Sequence, residues 1–262
     1  MKIATLIVSR NRPDLVDELV DNISTNNSID NDIYVIECGT DLKKLSNNSS
    51  LWYKDDDFKG KCFGHNIALD FARKSDEYDY FFVCMNDVFI QEKQPLSQMI
   101  EQFQQNPRLA ILSPTNLDGG YPGSDREKKG GWRKVTTCDY LCFLMRAEAI
   151  NDAGFLNPDF KYCWGAIHEL SYKLYSKDWF IAYSDDYTYK HLGGSTYGAK
   201  NTHTISRKEY QIRAKQFAFK YFIDNYGEDW NIKFWDAAKH HTIKHNTYDI
   251  HRKLWATGLE TI

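Results

Sequence analysis

The chain has 262 residues, 42% of them hydrophobic and 15% aromatic, enough apolar material to bury the core of one large α/β domain or two small ones. Its formal net charge of -3 supplies no field that would by itself gather nucleic acid or an anionic membrane, so no nucleic-acid partner is expected. No apolar run reaches transmembrane length, and the N-terminus enters a strand pattern without a secretory signal. The six cysteines (Cys38, Cys62, Cys84, Cys138, Cys142, Cys163) show no C-x-x-C spacing, and several lie in apolar runs, which suits free thiols in a reducing compartment. The expectation is a soluble cytoplasmic protein, peripheral to a membrane at most.

Ile3-Ala-Thr-Leu-Ile-Val8 is a continuous β-branched run suited to a strand buried on both faces. Ser9-Arg-Asn-Arg-Pro-Asp14 breaks it, and Pro13 opens a helix whose apolar residues Leu15, Val16, Leu19, Val20 and Ile23 recur at helical spacing. A second strand, Ile33–Ile36, ends in Glu37-Cys-Gly-Thr40, completing a β-α-β unit with a parallel pair and a right-handed crossover. Leu51-Trp-Tyr53 reads as a short third strand. Gly60-Lys-Cys-Phe-Gly64-His-Asn66 leads into a helix, where glycines allow close backbone approach to a ligand and the helix N-terminus favours anions.

Tyr78–Ile90 is an apolar, aromatic-rich run carrying Asn86 and Asp87. A carboxylate directly after a buried strand is placed to hold a metal in the crevice at the strand's C-terminal edge, while Asn-Asp is also common turn chemistry. A helix is expected over Ser97–Gln105 and a strand over Leu109–Leu112. Residues 117–132 are the most loop-like stretch, either a plain connection or a mobile substrate loop. Val135–Met145 reads as a strand, Arg146–Ala153 as a short helix, and Ala166–Tyr175 as a helix with Glu169 near its start. Phe180–Tyr183 is a late strand, with His191-Leu-Gly-Gly194 after a link, and the chain is helical from about Ser206. His240, His241 and His245 include an i, i+4 pair, but no H-E-x-x-H pattern accompanies it, so a surface helix is expected.

In this order, the pieces resemble the family 2 glycosyltransferases of the GT-A fold over roughly residues 3–195. Ser9-Arg-Asn-Arg-Pro13 resembles that family's first nucleotide-binding loop, and Glu37-Cys-Gly-Thr40 its acidic turn near the nucleoside. Gly60 through Asn66 has the family's spacing from a glycine to an asparagine before a helix. Met85-Asn86-Asp87 stands where the family has its D-x-D metal motif. Ala153-Gly-Phe-Leu-Asn-Pro-Asp159 is similar to its Gly-Phe-Asp-Glu segment, and His191-Leu-Gly-Gly-Ser195 to its late metal-binding histidine. Trp164-Gly165 resembles the Trp-Gly before the acidic motif of some galactosyl- and GalNAc-transferases. Two positions depart from the pattern. Only the last acid of D-x-D is present, and Ala166-Ile167-His168-Glu169 puts Ile167 where the family has its base, with Glu169 matching the later acid.

The resemblance implies an α/β fold of the GT-A type: a Rossmann-like, mostly parallel central sheet flanked by helices. It implies a domain over 1–200, with a nucleotide-sugar half about 1–115 and an acceptor half about 116–200, and a helical C-terminal extension, 201–262, packed on that domain. The implied activity is metal-dependent, inverting transfer of a sugar from a nucleoside-diphosphate sugar, UDP-sugar favoured, to a hydroxyl acceptor such as a glycan. Asp87 and His191 would hold a divalent ion, Mn2+ or Mg2+, and Glu169 would deprotonate the acceptor. Ser9, Arg10, Arg12, Glu37, Lys61, Asn66, Asn86 and Asp87 would bind the donor, and Trp132, Tyr162, Trp164 and His168 the acceptor. Aromatic residues stack on sugars, but burial in a core is their commoner fate. A homo-oligomer remains open. The alternatives are a degenerate GT-A protein that binds nucleotide or glycan without turnover, as Ile167 suggests, and a sugar nucleotidyltransferase.

Overall fold

The computed structural model describes residues 1–55, 59–119, 121–124, 130–193 and 205–257. Strand β1 (Ile3–Ser9) is buried at all seven positions, as its unbroken β-branched run requires. Helix α1 (Pro13–Asn26) returns the chain to β2 (Asn31–Cys38), parallel to β1. β3 (Ser49–Tyr53) adds outside β2, again parallel. Helix α2 (Gly60–Ser75) then carries the chain back across to β4 (Tyr80–Met85), which pairs parallel with the other side of β1. Connections therefore leave β1 in opposite directions, and the strand order reverses between β1 and β4. In an open α/β sheet that point leaves a crevice beyond the strands' C-terminal ends.

The rest of the sheet is mixed. Beyond β4 come β8 (Cys142–Arg146), β6 (Leu109–Asn116), β9 (Phe180–His191) and β5 (Val88–Ile90), with β7 (Trp132–Lys134) also pairing with β9. β5, β7 and β8 run against the other six strands of the described sheet, so it is mostly parallel in direction. Helices α3 (Pro95–Gln105), α4 (Ala147–Ala153) and α5 (Ala166–Tyr175) fill the connections, and α6 (Arg207–Tyr226), α7 (Trp230–Ala238) and α8 (Thr247–Ala256) follow β9.

Several elements differ from the sequence expectation. The apolar run 78–90 divides at Asn86-Asp87 into β4 and β5, so Asp87 stands in the turn between two strands. Helix α2 starts at Gly60 itself, and its glycines serve packing. A Cβ on Gly64 would meet Cys38 Sγ at 2.7 Å and Val8 Cγ1 at 2.9 Å, and one on Gly60 would meet the Lys161 carbonyl oxygen at 2.1 Å. The buried face of α2 is His65, Ala68, Leu69 and Ala72, while Ile67 and Phe71 are half-buried.

The strand expected over 135–145 shrinks to β8. Residues 135–141 have β-branched character but little ladder, because side chains satisfy their backbone instead. Tyr175 donates to the Val135 carbonyl, Tyr248 to that of Thr136 (2.6 Å), and the Asp139 N–H donates to the Tyr183 hydroxyl (2.8 Å). Conversely, β9 runs on to His191 through Ser184-Asp185-Asp186, which read as a loop. Asp185 is fully buried and paired with Arg133 at 3.3 Å, and the register with β6 shifts between Pro114 and Thr115. This irregularity lets the lower half of β9 pair with β7 and its last residues with β5.

The C-terminal helices cover α5 with an aromatic stack. Phe222 lies 4.6 Å from Trp230 and 5.8 Å from Trp255 between ring centroids, and both pairs are close to parallel. Trp230, Phe234, Tyr248 and Trp255 are buried and continuous with the sheet's core. Among the described residues no helix is long and apolar enough to cross a membrane.

Candidate functional site

Asp87 and His191 meet because β5 starts one residue after Asp87 and its first residue, Val88, pairs with His191 at the end of β9. Asp87 Oδ2 lies 3.4 Å from His191 Nε2, and the Leu192 N–H donates to the Asp87 carbonyl at 3.0 Å. The carboxylate is 5% exposed. Burial pushes it toward the neutral form, but the His191 contact and the charge of Lys61 outweigh this and hold its pKa below the ordinary aspartate value. Arg12, which forks onto Asp14 at 2.8 and 3.0 Å, also lies within the field of Asp87.

Three polar atoms at this edge are buried without a hydrogen-bond partner among the described residues: Ser9 Oγ, Arg10 Nε and Asp87 Oδ1. Ser9 is the last residue of β1 and Arg10 follows it, so all three lie at the crevice mouth. Such atoms cost roughly 1–3 kcal/mol each unless something binds them. The donor set at Asp87 and His191 fits a divalent cation. Asp87 Oδ2 and the His191 imidazole nitrogen are 3.4 Å apart, near the roughly 3 Å between adjacent ligands of such an ion, and Oδ1 of the same carboxylate is idle among the described residues. No cluster of three or more His, Cys, Asp or Glu is present among the described residues, so these two would be its protein ligands. Asn86 is buried beside Asp87 in the turn.

Other expected donor residues face elsewhere. Glu37 is fully buried and organises its own turn, accepting from Thr40 Oγ1 at 2.6 Å and the Ser46 N–H at 3.2 Å. Asn66 donates to the carbonyls of Cys62 (2.7 Å) and Leu156 (2.8 Å), bracing α2 against the segment before α5. The acid that does reach Arg10 is Asp55, at 3.5 Å from Nη1. Gly39, with φ +65°, leaves room for that pair, since a Cβ there would meet Asp55 Cβ at 3.0 Å. Sequence reading missed Asp55 because it lies among three consecutive aspartates with nothing to single it out.

Glu169 does not have the surroundings of a poised base. Oε1 accepts from Tyr226 Oη (2.8 Å), Tyr221 Oη (2.9 Å) and Asn157 Nδ2 (3.3 Å), and Oε2 from Lys173 Nζ (2.9 Å). Burial raises its pKa, yet Lys173 and the two hydroxyls more than offset this and leave it below the ordinary glutamate value. The arrangement ties α5 to α6. Ile167 beside it is 2% exposed.

The expected acceptor residues are not brought together. His168 is buried within the C-terminal aromatic stack, 4.4 Å from His251 and 4.9 Å from Trp255 between ring centroids, with both ring nitrogens unpartnered among the described residues. Trp132 stacks on Phe180 at the start of β9. The strand residue opposite Trp132 is Ser184, seven positions before His191, which places it roughly 20 Å down the strand from the crevice. Tyr162 packs edge-on against Tyr210 at 5.4 Å, and Trp164 is half-buried against the core. Gly193 is the last described residue of the late glycine pair, and Gly194 and Ser195 lie outside the described residues, as do 120 and 125–129 of the loop-like stretch.

A second acid unnoticed in the sequence is Asp139. It lies three residues before β8, and the carbonyl of Leu141 between them accepts from the Met85 N–H at 2.9 Å, one residue before Asn86. Tyr189 donates to its carboxylate and His191's charge reaches it, but burial dominates and pushes its pKa up to about 6. Only a β-branched, strand-like neighbourhood was visible in the sequence there.

No protein-family model and no curated protein matches the sequence. Solved structures do match. Staphylococcus aureus TarS residues 1–349, in complex with UDP-GlcNAc, superposes with a TM-score of 0.58 at 14% identity, covering 92% of this chain and 72% of that one. The mannosyltransferase PcManGT from Pyrobaculum calidifontis, with GDP-Man and Mn2+, gives 0.60 at 13% identity, covering 99% and 74%. GalNAc-T7 with UDP, GalNAc and Mn2+ gives 0.57 at 11% identity, covering 95% of this chain and 55% of that one. The fold is therefore that of the GT-A glycosyltransferases, as the motif order implied.

Proposed function

We propose that the protein is a metal-dependent glycosyltransferase of the family 2 type, transferring a sugar from a nucleoside-diphosphate sugar to a hydroxyl acceptor with inversion. The observation that carries this reading is the Asp87 carboxylate at the strand-order reversal, its Oδ2 beside His191 and its Oδ1 idle, with Ser9 Oγ and Arg10 Nε also unpartnered among the described residues at that edge. Matching structures bind UDP-GlcNAc, or GDP-Man with Mn2+, which supports a nucleotide-sugar donor and a manganese-like ion.

Asp87 and His191 would hold the ion, which when bound neutralises charge on the departing diphosphate. Lys61 and Arg12 add positive charge on the same side, and the Arg10–Asp55 pair closes the nucleoside end. In inverting transfer a base takes the acceptor proton as the hydroxyl attacks. Glu169 can serve only if Tyr221 and Tyr226 release Oε1, because as held it is a stabilised anion. That saturated geometry favours a second reading, a donor-binding protein without turnover. A cytoplasmic setting suits either.

The test is donor binding and hydrolysis across UDP-, GDP- and dTDP-sugars, with Mn2+ and with chelator. Metal-dependent cleavage of one donor, lost in Asp87→Asn, supports the transferase. Metal-dependent binding with no cleavage, even with a panel of glycan acceptors, supports the second reading. No binding to any member of the panel overturns both.

A further inference from the structure

His191 is the last residue of β9, and the end of that strand is not placed by a long regular ladder. Pairing with β6 passes from Pro114–Ser184 directly to Thr115–Thr188, and β5 contributes three pairs, Tyr189 to His191. Beyond the break, side chains fix the strand. Glu92 accepts from the Thr188 N–H and hydroxyl, each at 2.8 Å. The next residue, Tyr189, is fully buried and donates its hydroxyl to Asp139 Oδ2. Residues 189 and 191 project to the same side of the strand, about 7 Å apart, so this bond holds β9 on the face that carries the imidazole.

Asp139 is itself anchored on both sides. Its N–H donates to the Tyr183 hydroxyl at 2.8 Å, and its Oδ1 accepts from the Leu141 N–H at 3.4 Å. The Leu141 carbonyl in turn accepts from the Met85 N–H at 2.9 Å, two residues before Asp87. Tyr140 pairs its hydroxyl with His65 Nδ1 on α2. The Asp139 carboxylate is therefore a fixed point tied to the strand end before Asp87 and to the strand end that carries His191. We propose that Asp139 is a positioning residue for His191: through Tyr189 it sets the end of β9 so that His191 Nε2 faces Asp87 Oδ2. The role presupposes the ion site proposed above.

Nearby tyrosines show that satisfying a buried hydroxyl does not need a carboxylate. Tyr175 donates to the Val135 carbonyl, and Tyr183 accepts from the Asp139 N–H. Burying a carboxylate costs more than supplying a backbone group, and a charged acceptor holds its donor more firmly than a neutral one. The costlier, tighter partner is found at the tyrosine two residues from His191.

The test titrates Mn2+ alone into the full-length protein and follows the electron paramagnetic resonance signal of the free ion. Tyr189→Phe should bind it about tenfold more weakly, the low end for a partner that orients a ligand. Asp139→Ala should lose the same factor, and the double variant no more than about twofold beyond either, because both act through one bond. Asp139→Asn, whose amide oxygen still accepts from Tyr189, should stay within about threefold of the parent. In the metal-free protein, the 15N resonances of the His191 imidazole should move in Tyr189→Phe and stay in place in Asp139→Asn. Additive losses, or full affinity in Tyr189→Phe, would overturn the role. If the parent binds no Mn2+, the ion site fails, and the metal-free resonances decide the tie to His191 alone: unmoved in Tyr189→Phe, they overturn it. Should Asp139→Ala not fold, the Phe and Asn variants carry the test.

Discussion

The crevice mouth and the α5–α6 joint both centre on a buried carboxylate, but they are finished differently. Glu169 is 3% exposed and Asp87 5%, yet among the described residues Glu169 receives four donors while one oxygen of Asp87 receives none. A joint that only holds the fold together can be satisfied within the chain. A site of the kind proposed for the mouth, which would take up an ion from solution, leaves polar atoms for it, at a cost to the unliganded fold. The contrast separates the two acids more sharply than their burial does.

Removing the acid at the joint is expected to have the largest effect. Glu169→Ala strands Lys173 and two tyrosine hydroxyls, and should lower unfolding free energy by about 3–4 kcal/mol in urea denaturation. If it costs less than about 1 kcal/mol, the joint is not the strut described here. At the mouth the signs should reverse. Asp87→Ala should weaken Mn2+ affinity by about 100-fold in titration calorimetry while leaving the melting temperature within a few degrees of the parent. A large loss of stability would mean that Asp87 is structural after all.

The histidines beneath the joint give an intermediate effect with a defined sign. Burial depresses His251 from 6.5 to about 4 and His168 well below its ordinary value. The unfolded chain therefore binds protons below pH 6.5 that the folded chain refuses, so stability is full above 6.5 and lost as pH falls. His251 alone should remove about 2 kcal/mol between pH 6.5 and 5, and His251→Gln should flatten that slope. Tyr226→Phe should have the smallest effect, about 1 kcal/mol, since Glu169 keeps its other donors. If nucleotide-sugar cleavage rises in that variant, the hydroxyl restrains Glu169 as well as bracing it.

The positions of Ser9 and Asp87 at the candidate crevice were legible because these residues hang on the ends of apolar runs. Ser9 and Asp87 follow buried strands directly, and position alone places them at the crevice. His191 was recognised from its motif, but its strand was cut short at Tyr183, because a buried aspartate with a distant arginine partner looks like a loop residue from sequence. The joint was illegible for a related reason. Tyr221 and Tyr226 lie 52 and 57 residues from Glu169, and no local pattern links them. Trp132 shows the limit of reading aromatic residues by composition, since nothing local says which end of a sheet a ring occupies.

The side-chain anchoring of residues 135–141 has a kinetic consequence. In an ordinary ladder, amide protons exchange when neighbouring strands part. Here the groups holding the segment come from Tyr175 and Ser171 on α5, Thr247 and Tyr248 on α8, and Tyr183 on β9. Loosening α8 would therefore release the Thr136 hydroxyl and carbonyl, while the Asp139 amide, held by Tyr183 of β9, would exchange when the segment parts from that side chain rather than with the fraying of β8. A stretch that looks like a connection is thereby tied to the helices above it through its carbonyls and hydroxyls, and to β9 through the amides of Val135 and Asp139.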